Sequence, residues 1–202
     1  MRKLIVLSFV TLDGVMQAPG GPNEDTSGDF KYGGWTVGYW DELLGKAMDL
    51  QMAAPFDLLL GRKTYEIFAA YWPNAKNEDE RLADKLNEAK KYVASTTLRK
   101  LDWKNSTLIT GDIVDEIKKL KEQEGPEIQV HGSSNLIQTL LKNDLVDEFR
   151  LKVFPVTIGA GKRLFGDGTT PASFKLLETQ ISTTGVIVAT YVREGEIKTG
   201  SF

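Results

Sequence analysis

From Leu4 to Val10 the chain is apolar at every position but Ser8, the length and pattern of a strand buried on both faces. Met1-Arg-Lys ahead of it superficially resembles the start of a signal peptide. The run, however, stops at Thr11-Leu-Asp-Gly14 and has no small-residue cleavage site, so a buried first strand is the better reading. From Asp13 to about Gly34 the chain is rich in Gly, Pro and Asp. Loops of that length are usually functional or mobile, and this one ends in the aromatics Trp35, Tyr39 and Trp40. Asp41 to Ala54 has helical spacing, with Leu44, Ala47, Met48 and Gln51 on one side, acids in its first turn and Pro55 as its stop. Asp57 to Leu60 is a short apolar strand that runs straight into Gly61-Arg-Lys-Thr64. Helices over about Tyr65 to Tyr71 and Glu78 to Lys90 follow, then strands at Tyr92 to Ser95 and Thr107 to Ile109.

Asp112 reads as the N-cap of a helix in which Ile113, Ile117 and Leu120 recur at helical spacing, and Gly125-Pro126 stops it. A strand at Ile128 to Val130 leads into His131-Gly-Ser-Ser-Asn135. The next helix, about Asn135 to Lys142, has Leu136, Leu140 and Leu141 on its apolar side. From there the pattern turns to β. Glu148 to Phe154 alternates, and Phe174 to Ile181 pairs through Thr183-Thr-Gly185 with Val186 to Val192. The whole predicts the α/β class: a mostly parallel central sheet finished by an antiparallel C-terminal edge, in one domain over residues 1–202.

Composition narrows the chemistry. A chain of 202 residues can bury a substantial core by itself. It contains no cysteine, which excludes a disulfide framework, a catalytic thiol and thiolate-bound metal. His131 is the single histidine and no EF-hand spacing occurs, so no metal site is expected. With a net charge of −3 there is no basic field to recruit nucleic acid or an anionic membrane. No stretch is long enough to cross a bilayer, and the expected location is the cytoplasm.

Three strand ends open into small, polar turns: Gly61-Arg-Lys-Thr64, Ser95-Thr-Thr97 and Gly132-Ser-Ser134. In open α/β sheets ligands sit beyond the carboxyl ends of the strands, where helix N-termini offer N–H groups. The first turn joins glycine, two cations and a hydroxyl. The second adds hydroxyls with Arg99 and Lys100 close behind, and the third lets backbone approach a pyrophosphate at Gly132. Singly, each is equally a capped helix start; in series they describe a dinucleotide site. Gly159-Ala-Gly-Lys162 fails as a Rossmann fingerprint, because Leu164 takes the third glycine position, and as a Walker loop, because Arg163 replaces Ser or Thr. It reads as a turn after Pro155. His131 reads either as a satisfied strand-end residue or as a pocket group.

On these motifs the chain resembles the dihydrofolate reductase superfamily, most closely the stand-alone relatives of the riboflavin-biosynthesis reductase domain. Gly61-Arg-Lys-Thr-Tyr-Glu66 is similar to the turn that holds the cofactor phosphates in that superfamily, and Ser95-Thr-Thr97 to its adenosine-ribose loop. Gly132-Ser-Ser-Asn-Leu136 is similar to the glycine turn under the pyrophosphate and nicotinamide. Thr11-Leu-Asp-Gly14, Leu145-Val-Asp-Glu148 and Pro155 to Phe165 resemble segments of the riboflavin branch. The resemblance implies a three-layer sandwich, a homodimer, and NADPH held by Gly61, Arg62, Lys63, Thr64, Ser95, Thr96, Thr97, Arg99, Gly132, Ser133, Ser134, Asn135 and Leu136. It further implies hydride transfer to a C=N or C=O bond of a pteridine- or pyrimidine-type heterocycle or its ribosyl phosphate, as in riboflavin biosynthesis.

Two positions depart from the superfamily. The glutamate that contacts substrate in the riboflavin enzymes is replaced by His131, and no acid of the first helix aligns with that of dihydrofolate reductase. Asp41 and Glu42 lie near that turn, and Asp13 or water are further candidate proton donors. Trp35, Tyr39, Trp40 and Met48, with Asp13 and His131, form a possible substrate wall; lid and core packing is the other reading of the aromatics and Met48. The missing acid also leaves open a diverged NADPH-binding or regulatory module without turnover.

Overall fold

The structure, a computed structural model, describes residues 1–76 and 80–201. The main elements are β1 (Leu4–Thr11), α1 (Glu42–Gln51), β2 (Phe56–Gly61), α2 (Arg62–Tyr71), α3 (Glu80–Glu88), β3 (Lys91–Ala94) and β4 (Ser106–Ile109). They continue with α4 (Ile113–Glu122), β5 (Glu127–His131), α5 (Ser134–Lys142), β6 (Glu148–Phe154), β7 (Ser173–Ile181) and β8 (Ile187–Gly195). The expected helix start at Glu78 lies outside the described residues.

All eight strands join one sheet in the order β4-β3-β2-β5-β1-β6-β8-β7. The first six positions are parallel, and β8 and β7 close the edge antiparallel. The hairpin between them turns at Gly185, whose φ of +84° is open to glycine at no steric cost. One face buries Leu4, Val6, Ile128, Val130, Phe149 and Leu151 under α4 and α5. The other buries Phe56, Leu58, Leu60 and Val93 under α1, α2 and α3. This is the three-layer sandwich expected, and β1 is central because it has no polar face to show: Leu4, Ile5 and Val6 are each 0% exposed.

Strand β6 has the predicted bounds but not the predicted faces. Its polar positions are turned inward: Glu148 is buried, Lys152 is 1% exposed and Arg150 is only partly exposed. Register places Glu148, Arg150 and Lys152 on the same face as Gln129 and His131 of β5. There the charges are paired. Arg150 grips Glu127 through two bonds of 2.8 and 2.9 Å and donates to Glu148 at 2.7 Å, while Lys152 Nζ donates to Gln51 Oε1 at 2.5 Å. Buried polar groups persist only when satisfied in this way.

Helix starts differ in one telling respect. Asp41 caps α1, accepting from the Leu44 N–H at 3.0 Å, and Asp112 caps α4, accepting from Val114 and Asp115 at 2.9 and 3.0 Å. No side chain caps α2 or α5. Helix α2 also begins earlier than predicted, at Arg62, immediately after the last residue of β2.

Candidate active site

A cavity of about 820 Å³ opens beyond the carboxyl ends of β1, β2, β3 and β5. That volume suits a sizeable organic ligand. All three polar turns reach it: Gly61, Arg62, Lys63 and Thr64; Ser95, Thr96 and Thr97; and Gly132, Ser133, Ser134, Asn135 and Leu136. They converge because β3, β2 and β5 are parallel neighbours, so their ends share one edge. The β2 and β5 turns are fastened together where the Gly61 N–H donates to Ser133 Oγ at 2.9 Å. Used for that bond, the Ser133 hydroxyl does not cap its own helix. Gly132 and Ser133 both take left-handed backbone, φ +63° and +67°. For serine this conformation costs on the order of 1 kcal/mol, the kind of strain that clusters at ligand sites. Arg99 does not line the cavity; its guanidinium donates to the Thr96 and Leu98 carbonyls at 3.1 and 3.3 Å and stiffens the loop that does.

The expected substrate wall is only partly there. Met48 and His131 line the cavity, together with Leu7, Phe9, Met52 and Phe68. Trp35, Tyr39 and Trp40 do not. Trp35 and Tyr39 stack edge-on against Phe154, with ring centroids 5.3 and 5.9 Å away, and Trp40 leans on Phe9 at 6.1 Å. Phe154, fully buried at the end of β6, draws Trp35 and Tyr39 against the core, while Trp40 stays half exposed.

The expected acids also lie elsewhere. Asp41 accepts from the Leu44 N–H and, through its other oxygen, from the N–H and hydroxyl of Thr183 at 2.8 Å each. Those bonds hold its carboxyl below the usual range and tie α1 to the β7–β8 turn. Glu42 is exposed and pairs with Lys46 at 2.6 Å. Asp13 accepts from Thr11 Oγ1 at 2.5 Å and from the Ile158 and Gly159 N–H groups at 3.2 and 2.7 Å, and the Thr11 bond leads in lowering its pKa. Each is a fixed, ionised structural acceptor outside the cavity lining.

Among the described residues, the acids that do line the cavity are Glu24 and Asp25, both in the long loop. Their surroundings push them apart. Burial raises the Glu24 carboxyl, whose Oε2 accepts from the Gly20 N–H at 2.7 Å. Burial also presses on Asp25, but bonds from Lys162 and Ser27 outweigh it and hold that carboxyl low. The Gly159-Ala-Gly-Lys162 turn is therefore more than a turn. It clamps the loop: the Lys162 N–H donates to Gln17 Oε1 at 3.0 Å, and Gln17 Nε2 donates to the Asp25 and Ser27 carbonyls at 3.0 and 2.9 Å. A Cβ on Gly161 would meet Phe30 at 2.8 Å, so glycine is needed for this approach. Loop length signals such a role in the sequence, but nothing local selects Gln17, Glu24, Asp25 or Lys162.

His131 is both things the sequence allowed. It lines the cavity, and its Nε2 meets Gln129 Oε1 at 2.8 Å. Burial first, then Lys152 and Arg150, depress its pKa to about 3, so the ring is neutral at ordinary pH. Among the described residues no group of three or more His, Asp or Glu is placed to hold a metal, and no helix is long and apolar enough to cross a membrane.

Comparison with known proteins agrees with this architecture. Two relatives from Bacillus subtilis, both uncharacterised, match in sequence. YyaP is 32% identical over 194 residues, covering 94% of each chain, and YwjB is 27% identical over 123 residues, covering 61% of this chain and 66% of its own. Among solved structures, a putative riboflavin biosynthesis protein from Shewanella sp. PV-4 superposes with a TM-score of 0.72 at 22% identity, covering 95% of this chain and 99% of that one. A pyrimidine reductase-like protein from Corynebacterium diphtheriae gives 0.59 at 13% identity, with 96% and 93% covered. Dihydrofolate reductase from Enterococcus faecalis, described in complex with NADP(H), gives 0.57 at 12% identity, with 95% and 96% covered. These three share the fold. The family model of the RibD C-terminal domain matches residues 2–188, and the chain belongs to that reductase family.

Proposed function

We propose that the chain is an NADPH-dependent reductase acting on a C=N or C=O bond of a pteridine- or pyrimidine-type heterocycle or its ribosyl phosphate. The observation that carries this reading is the pair of uncapped helix starts. Of the four helices with described caps, α1 and α4 are closed by aspartate, whereas α2 and α5 turn into one cavity with no side-chain cap. A helix start without its own acceptor favours an anion there, and Arg62, Lys63 and Thr64 add charge and a hydroxyl to the first. Gly132 has only Thr64 Oγ1, at 3.9 Å, near the place of a Cβ, so a phosphate can come against bare backbone. Ser95 to Thr97, with Arg62 in the lining and Arg99 behind the loop, supply hydroxyls and charge for a ribose phosphate, which favours NADPH over NADH.

When bound, NADPH supplies the hydride from its nicotinamide C4. The chain's own residues hold the substrate and deliver the proton. Leu7, Phe9, Met48, Met52 and Phe68 provide an apolar wall for a flat ring. Glu24 is the proton donor, a cavity acid held toward its protonated form beside a neighbour held ionised. Replacing Glu24 with Gln lowers kcat by about tenfold, below the usual span for a general acid because solvent reaches the cavity. The loss is greatest at low pH, where the wild-type Glu24 is protonated, and shrinks as pH rises and that carboxyl ionises, while NADPH affinity is unchanged. An unaltered pH–rate profile excludes this role.

Calorimetric titration of NADPH, followed by its oxidation against a panel of pterins, pyrimidines and their ribosyl phosphates, tests the whole reading. Binding with turnover of one panel member is expected. Binding without any oxidation leaves a cofactor-binding module, and failure to bind NADPH or NADH removes both.

The same reading includes a homodimer built on β7. This edge strand exposes Leu176, Leu177 and Ile181, at 46%, 55% and 69%, beside unpaired backbone. A long apolar edge is a pairing surface unless covered. Light scattering of the wild type gives twice the chain mass, and replacing Leu176 and Ile181 together with Lys gives the monomer.

A further inference from the structure

The hydrogen bonds below His131 fix which of its ring nitrogens carries the proton. Gln129 Nε2 lies 2.9 Å from the Gln51 carbonyl oxygen and 2.7 Å from Glu127 Oε1. Both are acceptors: the first is a backbone carbonyl, and the second accepts from Arg150 through the same carboxyl group. The amide nitrogen of Gln129 must face them, because the reverse orientation would set its oxygen against two other oxygens. Gln129 Oε1 is then left to face His131 Nε2 at 2.8 Å, and only an Nε2–H can satisfy it. A neutral ring protonated there has an unprotonated Nδ1. Among the described residues no donor reaches Nδ1, nor is it a buried orphan. The neighbours of the ring are Leu7, its register partner on β1, and Phe68, edge-on at 6.4 Å. Lys152 and Arg150 act on the ring from the same face of the sheet but make no hydrogen bond to it, so Nδ1 stands as a single acceptor toward the cavity.

We infer that His131 is a specificity residue, locked by Gln129 and Glu127 as the Nε2–H tautomer, whose Nδ1 accepts a hydrogen bond from an N–H or O–H of the substrate. This inference rests on the reductase reading and deepens it. The cavity is built to take a substrate with a donor at this point, and a ligand presenting only acceptors or an anion there meets a lone pair instead.

Because the chain has one histidine, long-range proton–nitrogen correlation spectra report His131 directly. The expected spectrum is that of an unprotonated Nδ1 and a protonated Nε2, unchanged from pH 8 down to about pH 5. The Nδ1 resonance moves when lumazine, a pteridine with two N–H groups, is added to NADPH-loaded protein, and stays put with NADPH alone. By calorimetry the loaded wild type binds lumazine about tenfold more tightly than its doubly N-methylated analogue, the worth of one good hydrogen bond. His131→Phe, which keeps a flat ring without an acceptor, binds the two equally; His131→Asn, which restores an acceptor, recovers part of the preference. An Nδ1–H tautomer, titration above pH 5, an unchanged preference in His131→Phe, or no binding of lumazine overturns the inference while NADPH binding stands. Loss of NADPH binding itself would instead overturn the reductase reading.

Discussion

Replacing Gly61 with Val lowers NADPH affinity by roughly 100-fold or more while leaving the sheet folded. A Cβ at this position meets Ser133 Cβ at 3.2 Å, Ser133 Oγ at 3.3 Å and Leu136 Cβ at 3.6 Å. Its φ is −75°, so backbone strain is not the cause; the effect is crowding between two turns. The extra methyls of valine push the β2–α2 turn away from the β5–α5 turn and break the bond from the Gly61 N–H to Ser133 Oγ. Both uncapped helix starts then lose their common aim. Displacements on the order of 1 Å in such a constellation cost about 100-fold. Ser133→Ala separates the two contributions, because it removes the bond without crowding and should cost only about fivefold, in line with one neutral hydrogen bond. Calorimetric titration of NADPH into wild type and both variants, with circular dichroism to show an intact fold, checks the order wild type, Ser133→Ala, Gly61→Val. Equal affinity in all three would mean that the cofactor phosphates do not sit on these turns.

What the sequence made legible follows from locality. Strand β1 is readable because burial on both faces leaves Ser8 as the one polar residue from Leu4 to Val10. Asp112 is readable as a cap because its carboxylate and the N–H groups it accepts from lie within three residues. The three polar turns are readable for a related reason: each follows directly on a strand end, two of them with a glycine at a helix start, and the parallel sheet alone brings them to one edge.

The aromatics and acids fall outside the cavity lining because most of their partners are remote in the chain. Trp35 and Tyr39 look like a stacking wall until Phe154 draws them into its own cluster. Asp41 looks like an acid near a pocket until Thr183, from the final hairpin, takes one of its oxygens. The alternation of Glu148, Arg150 and Lys152 is the usual mark of a solvent face, yet here Glu127 and Gln51 satisfy the same positions in the interior. Glu24 carried no local signature at all. Its raised pKa arises from burial in a loop that Lys162, remote in the chain, holds in place through Gln17. The polar turns of the cavity are therefore largely a local property of the sequence, and its remaining lining is a property of the fold.

The same buried stripe sets how stability depends on pH, with two separate limbs. His131 has its pKa pushed down to about 3 from 6.5, by burial and then by Lys152 and Arg150, while Glu127 faces it only through Gln129. Between those values the unfolded chain binds more protons than the folded one, so stability falls as pH drops from about 6.5 toward 3. Lys152 is pushed down to about 7 from 10.5, by burial and then by Arg150 beside it on β6. Between these values, too, the unfolded chain binds the extra proton, so stability keeps rising as pH climbs from about 7 to 10.5. Each limb is worth at most about 5 kcal/mol, a large share of the stability of a single domain. Urea midpoints of the wild type should therefore still increase between about pH 7 and pH 9, where most proteins have passed their maximum. Lys152→Met removes that alkaline rise and raises the midpoint near pH 6, since it takes out a charge that is buried at that pH. His131→Gln flattens the acid limb and leaves the alkaline one. A wild-type midpoint that peaks below pH 7, with Lys152→Met less stable than wild type near pH 6, would show that Lys152 is charged and well solvated in the folded chain, contrary to its place between Phe9 and Gln51.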